Sequence, residues 1–451
     1  MSTPVNASVG ALVSADRSVL LWLLRAACVL ALIALGAACS KQEPTGKTPV
    51  PGAVEPPKTD AGTEVARRGQ YLAAAGDCFA CHTTRGGEAY AGGLEIPTPF
   101  GSLYTPNITP DRDTGIGAWS ADDFWRAMHE GRSRDGSYLY PAFPYTNYTK
   151  VTREDSDAIF AYLMSLKPVA RKNRAHEMGF PYSQRQLMAG WRALYFKPGV
   201  YQEVPTQSKE WNRGAYLVEG LGHCNACHAT RNVLGAIAAD DDYSGGLIPV
   251  QNWFAPSLTS SRDTGLGDWE TRDIIDLLRT GISARGAVFG PMTAVVFHSL
   301  QELSLTDLTA MAVYLKSQAE KPAPSAGMMR SGPTDVQVAA LLKSGAKIYA
   351  DHCESCHQKD GQGVLRVYPP LVQSQTTRSR SAVNAIRIVL NGGFPPSTEG
   401  NPRPYGMPPF YQELSDEQVA AVVTYIRGSW SNRGSPVTAV EVARARGVPA
   451  D

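Results

Sequence analysis

Three pentapeptides constrain this chain more than any other feature: CFACH at Cys78–His82, CNACH at Cys224–His228 and CESCH at Cys353–His357. With eight cysteines and eight histidines in 451 residues, random placement would supply roughly 0.003 copies. Two thiols two residues apart can add to the two vinyl groups of one haem, and the histidine that follows then lies under the iron as proximal ligand. Disulfides and zinc sites also use C-x-x-C pairs, but neither calls for a histidine directly after every pair. The expected set is therefore three covalently bound haem c groups. Cys78, Cys81, Cys224, Cys227, Cys353 and Cys356 tether them, and His82, His228 and His357 ligate iron.

An internal repeat locates the remaining ligands. PNITPDRDTGIGAWSADDFWRAMHEG begins at Pro106 and PSLTSSRDTGLGDWETRDIIDLLRTG at Pro256, an offset of 150 residues. Upstream, RGQYL before the first motif matches RGAYL before the second. GIG and GLG do not complete a phosphate loop; they read as turns before a helix whose start carries Ser120, Asp122 and Asp123. Each copy reads as a small helical domain. A helix runs into C-x-x-C-H, a loop follows, a second helix ends at Gly131 or Gly281, and another loop leads to a final helix with an aromatic at one place (Tyr162, Tyr314, Tyr425). The loop before that final helix should cross the open face of the haem. It carries Met292 in the second copy and Met407, among prolines, in the third. A lone methionine is usually core filler, but two at this point after C-x-x-C-H read as thioether ligands, which favour ferrous iron. His298 is the alternative in the second copy.

The length suits about three domains of ~150 residues, and the expected class is all-α: three tandem class I cytochrome c domains over residues 63–170, 206–320 and 336–430. Linkers at 171–205 and 321–335 and a tail at 431–451 complete the plan. The first linker carries an apolar stripe (Leu187, Trp191, Leu194, Tyr195) that reads as interdomain packing or a docking face. Lys plus Arg is 43 and Asp plus Glu 42, a net charge of +1, so no basic excess points to nucleic acid. Residues 1–39 read as an export signal, with an apolar run ending in Gly36, Ala37, Ala38 and Cys39. Lipidation at Cys39, ordinary cleavage and an uncleaved anchor are the three readings. A Pro-rich tether at 40–62 follows, so the expected location is the periplasm, anchored to the membrane.

The order of C-x-x-C-H, PNIT-type loop, Trp-containing helix, LYPA-x-PY, second C-x-x-C-H, PxxM, third C-x-x-C-H and YGMPPF resembles the three-haem cytochrome c subunit of bacterial membrane-bound dehydrogenases. The resemblance runs from about Glu64 to Trp430. It implies an electron-transfer subunit that collects electrons from a quinoprotein, flavoprotein or molybdenum-type catalytic partner. It passes them to quinone or to a terminal oxidase or cytochrome.

One stretch departs from that family. Where its members often read LYPAMPY, with the methionine as sixth ligand of the first haem, this chain reads LYPAFPY, and the offset of 150 places Met292 opposite Ala142, beside Phe143. Met128, His129, His176 and Met178 are the candidate replacements; a site left open under Phe143 is the other outcome. An open site would permit a second function, a haem enzyme or small-ligand-binding cytochrome, with Arg132, Arg134 and Tyr138 as nearby polar groups.

Overall fold

The structure, a computed structural model, describes residues 63–237, 239, 241–320 and 333–448. The expected export signal, Cys39, the tether and most of the 321–335 linker lie outside the described residues. In chain order the principal elements are α1 (Glu64–Ala75), β1 (Glu95–Thr98), β2 (Gly101–Tyr104), α2 (Ala121–Glu130) and α3 (Arg153–Ser165). Next come β3 (Glu177–Met178), α4 (Met188–Tyr195), α5 (Lys209–Tyr216), β4 (Gly246–Ile248), β5 (Trp253–Ala255) and α6 (Thr271–Thr280). The last are β6 (Ile282–Ser283), β7 (Gly286–Ala287), α7 (Pro291–His298), α8 (Leu305–Lys316), α9 (Asp335–His352), α10 (Val383–Asn391) and α11 (Asp416–Gly428). No helix among the described residues is long and apolar enough to cross a membrane.

Local chemistry explains where these helices begin and end. Thr63, Thr152, Ser208, Ser304, Thr334 and Ser415 each cap a helix by accepting a backbone N–H from its first turn. Ser120 and Asp123 close a reciprocal capping box on α2, which fits the acidic first turn seen in the sequence. That helix stops at Gly131 and α6 at Gly281, both at positive φ, where a side chain would be strained.

One helix crossing is built three times. α1 crosses α3, α5 crosses α8 and α9 crosses α11, in each case with a glycine pressed on a carbonyl. A Cβ on Gly69 would stand 1.8 Å from the Ala158 oxygen, on Gly214 2.0 Å from Ala310, and on Gly345 2.2 Å from Ala421. The aromatic four residues later, Tyr162, Tyr314 or Tyr425, packs its Cβ over the same glycine. RGQYL and RGAYL held the first two glycines; the third, in Gly345-Ala346-Lys347-Ile348-Tyr349, has lost the flanking residues that would have revealed it.

Those flanking residues decide how the copies assemble. Arg68 pairs with Asp155 of its own copy at 2.5 Å, while Tyr71 donates to Asp307 of the second copy at 2.6 Å. Reciprocally, Arg213 pairs with Asp307 at 2.7 Å and Tyr216 donates to Asp155 at 2.5 Å. The first two copies therefore meet face to face about a local pseudo-twofold, and a single core runs through both, from Leu72 to Leu315. In the third copy the corresponding positions are Ser344, Lys347 and Gln418. It cannot make this pairing, and it has a separate core of its own. It docks on the second copy through polar contacts: the Asn384 side chain bonds both backbone groups of Phe254, at 2.8 and 2.7 Å, and Arg378 meets Asp263 at 2.6 Å.

Asp307 makes the pairing pH-sensitive. Burial pushes its carboxyl up, but hydrogen bonds from Arg213 and Tyr71 outweigh that and hold it below the ordinary carboxylate value. A depressed carboxyl contributes stability that is complete above the unfolded value of about 3.9 and is lost as pH falls below it. Asp307→Asn should cost about 2 kcal/mol near neutral pH, and the gap in thermal midpoint between wild type and variant should shrink as melts are taken down to pH 3. A gap that persists unchanged in acid would place the stabilisation elsewhere.

The helical expectation holds for the body of the chain, but the connecting loops add small antiparallel ladders, β1–β2–β3, β4–β5 and β6–β7. The 171–205 linker is itself structured, because β3 pairs with β2. The apolar stripe in α4 divides. Trp191 donates to the Leu234 carbonyl at 3.0 Å and packs edge-on against Tyr145, whereas Leu187 and Leu194 remain exposed.

Candidate functional site

The three motif histidines are held alike. His82 Nδ1 donates to the Pro106 carbonyl at 2.8 Å, His228 Nδ1 to Pro256 at 2.7 Å, and His357 Nδ1 to Pro369 at 3.0 Å. A proton committed to Nδ1 leaves the Nε2 lone pair bare, the form that ligates a metal, and the carbonyl fixes the ring's orientation. Burial lowers the pKa of all three imidazoles, with the carbonyl bond offsetting only part of it, so they are neutral. These prolines were not singled out in the sequence, although Pro106 and Pro256 open the two repeats and Pro369 sits in a Pro-Pro pair. The sequence shows the residue, whereas the function belongs to its backbone oxygen.

The cysteines beside them are free thiols. Burial pushes Cys78, Cys81, Cys224 and Cys353 up to about 12. Cys81 and Cys227 nevertheless keep exposed surface, so their sulfurs are open to addition. Paired thiols beside an imidazole with a bare Nε2 fit a covalently attached haem.

On the loop side, Met292 and Met407 are half-buried at the edges of the two cores. Met292 follows Gly290 and Pro291 at the start of α7, and the Met407 backbone bonds Gly393 in both directions, at 2.8 and 3.0 Å. In the first copy the half-buried side chain is Phe143, while Ala142 points outward. The structural counterpart of Met292 is thus Phe143, one residue on from the position the constant offset assigned.

The other candidates have different surroundings. Met128 is 4% exposed in the shared core, matching its repeat partner Leu278 at 8%. His129 donates from Nδ1 to the Thr149 carbonyl at 2.9 Å and stacks on Trp125 at 4.4 Å, along a ridge covered by Arg153. His176 accepts the Tyr104 N–H on Nδ1 at 3.2 Å, which puts its proton on Nε2. Met178 is paired in β3 with Gly101. His298 packs on Phe79 of the first motif at 5.0 Å, at the contact between copies, and its buried Nδ1 has no hydrogen-bond partner.

The first two motifs lie against each other. A Cβ on Gly76, just before the first motif, would stand 3.4 Å from the Leu221 side chain, just before the second. Asp77 sits at φ 50, and burial pushes its carboxyl well up. Tyr148 spans the junction: its hydroxyl donates to the Gly76 carbonyl at 2.8 Å, and its ring meets His223 edge-on at 5.6 Å.

These features define a c-type cytochrome. The cytochrome c family model matches residues 66–167 and 342–430, ranges that hold the first and third motifs, and such domains carry covalently bound haem c. The chain is 42% identical over 397 residues to the gluconate 2-dehydrogenase cytochrome c subunit of Pantoea cypripedii, covering 84% of this chain and 89% of that one. It is 39% identical over 403 residues to the cytochrome c subunit of the alcohol dehydrogenase (quinone) of Gluconobacter oxydans, covering 86% and 83%. With the fructose dehydrogenase cytochrome subunit of Gluconobacter japonicus it shares 35% over 415 residues, covering 87% and 85%. More narrowly, then, the chain belongs to the family of cytochrome c subunits of dehydrogenases.

Proposed function

We propose that the chain is a trihaem cytochrome carrying electrons from a periplasmic, membrane-associated dehydrogenase to quinone or a terminal acceptor. Three class I cytochrome c domains, at 63–170, 206–320 and 336–430, each take one haem. The observation that carries this reading is the threefold repeat of an imidazole whose Nδ1 is bonded to a proline carbonyl beside two free thiols. Cys78 and Cys81, Cys224 and Cys227, and Cys353 and Cys356 hold the macrocycles; His82, His228 and His357 present Nε2 to the irons. Met292 and Met407 supply neutral thioethers that favour the reduced state and occupy the position a substrate would need. The bound groups supply reversible one-electron transfer. The shared core sets the first two motifs side by side, which suits transfer between them, and the third docks on the second copy. An apolar N-terminal run ending at Cys39 supports export and a lipid anchor, and the similarity to the cytochrome c subunit of the Gluconobacter oxydans alcohol dehydrogenase (quinone) supports quinone as acceptor.

Solubilised membranes of the source cell test the reading. The chain should co-purify with a large dehydrogenase subunit and contain three haems, and its haem bands should be reduced within seconds by gluconate, an alcohol, fructose or an aldehyde. A chain that purifies alone and stays oxidised with the whole panel overturns it.

A further inference from the structure

The first copy departs from the other two at the half-buried side chain of the loop that follows its second helix. Phe143 takes the place that Met292 and Met407 take elsewhere. A phenyl ring has no lone pair to offer a metal. Of the sulfurs and imidazoles nearest in sequence, Met128 is buried in the core and His176 carries its proton on Nε2; the His129 ring is stacked on Trp125 on a half-exposed ridge, and Met178 sits in the short strand that pairs with Gly101.

The loop that carries Phe143 is tied down by its neighbours. Tyr148 packs edge-on against Phe143 at 5.3 Å while its hydroxyl is bonded to Gly76. Asn147 donates to the Glu219 carbonyl and to the Asn225 side chain, both at 2.8 Å. The segment is thus fastened at once to the stretch preceding the first motif and to the second motif with the stretch before it. The polar side chains that the sequence placed near an open site have partners within the protein. Arg132 donates to the Tyr138 hydroxyl at 3.1 Å and lies over its ring, and Arg134 faces Asp123 at 3.7 Å. An anionic ligand brought beneath an apolar ring, without a donor, would bear an uncompensated desolvation cost. A neutral diatomic that binds ferrous iron through carbon or nitrogen needs no donor.

We propose that this chain supplies no sixth ligand to its first haem, and that the position capped by Phe143 takes a small neutral diatomic such as carbon monoxide or nitric oxide. The inference rests on the haem-attachment reading above. The haem content of the full chain is therefore measured first, and a count other than three would sink that reading before this one is tested.

With three haems established, the dithionite-reduced protein is titrated with carbon monoxide and followed optically. The expected result is one carbon monoxide per three haems in the wild type, the same in Met128→Leu, and none in Phe143→Met, whose new thioether closes the site. Wild type that binds none overturns the proposal; if Met128→Leu then binds one, Met128 is the ligand. Binding retained in Phe143→Met with three haems also overturns it, because the open iron would be another one. Should Phe143→Met fail to incorporate haem, Phe143→Leu replaces it. An apolar cap predicts unchanged stoichiometry with a faster on-rate for the smaller side chain; an unchanged on-rate overturns the proposal.

Discussion

Replacing Gly345 by valine should unfold the third copy and leave the first two folded. The Gly345 Cα lies where an added Cβ would be 2.2 Å from the Ala421 carbonyl and 2.7 Å from the Tyr425 Cβ. The near atoms are backbone and a Cβ, so no flexible side chain can give way, and the helices α9 and α11 must separate. Overpacking a tight core costs roughly 1–3 kcal/mol, and a backbone clash belongs at or beyond the top of that range, enough to exhaust much of a small domain's stability. The third core, from Ile348 to Ala445, shares no buried residue with the core of the first two copies. Limited proteolysis of the variant should release a fragment carrying the first two motifs with both haems intact. Gly69→Val should behave differently: its helix lies in the shared core, so the first and second copies should melt together. A single transition for the whole chain in Gly345→Val would show that docking through Asn384 and Arg378 couples the cores after all.

The same contrast shows what could be read from the chain alone. The C-x-x-C-H motifs, the capped helices, the glycine ends at Gly131 and Gly281 and the recurrent aromatics were legible because each is a local device, complete within a few residues. The reciprocal Tyr71–Asp307 and Tyr216–Asp155 bonds were not. Each joins residues far apart in sequence, and a tyrosine at the second place after a helix glycine has no unique partner until the copies are seen together. Small ladders such as β6–β7 escaped because two-residue strands carry no periodicity. The Ala142–Phe143 ambiguity was a problem of register: an offset of 150 holds through the helix but not through the loop after it, where the first copy has one residue more before the inward side chain. The proline carbonyls were invisible because any residue has a carbonyl, and only the fold shows which one meets the ring.

On the trihaem reading proposed above, Met407→Ala should lower the reduction potential of the third haem alone, and Met292→Ala chiefly that of the second. A thioether is soft and neutral and stabilises ferrous iron relative to ferric; its removal leaves water or nothing in that position, and both favour the oxidised form. The fall should be at least about 59 mV, a tenfold change in the ferrous-to-ferric ratio for a one-electron couple. Met407 is the cleaner test. Its backbone is pinned to Gly393 from both sides, so the loop should keep its course when the side chain is cut back, and its core is not shared. Met292 begins a helix that packs against the first motif through His298 and Phe79, so truncation there is expected to disturb the first haem slightly as well. Spectroelectrochemical titration of wild type and both variants resolves the three potentials. Each variant should also acquire one further carbon monoxide site on reduction, because an alanine cannot refill the position. A potential that does not move in Met407→Ala, together with no new carbon monoxide site, would mean that another group ligates the third iron. The half-buried side chain at the edge of the third core would then be packing alone.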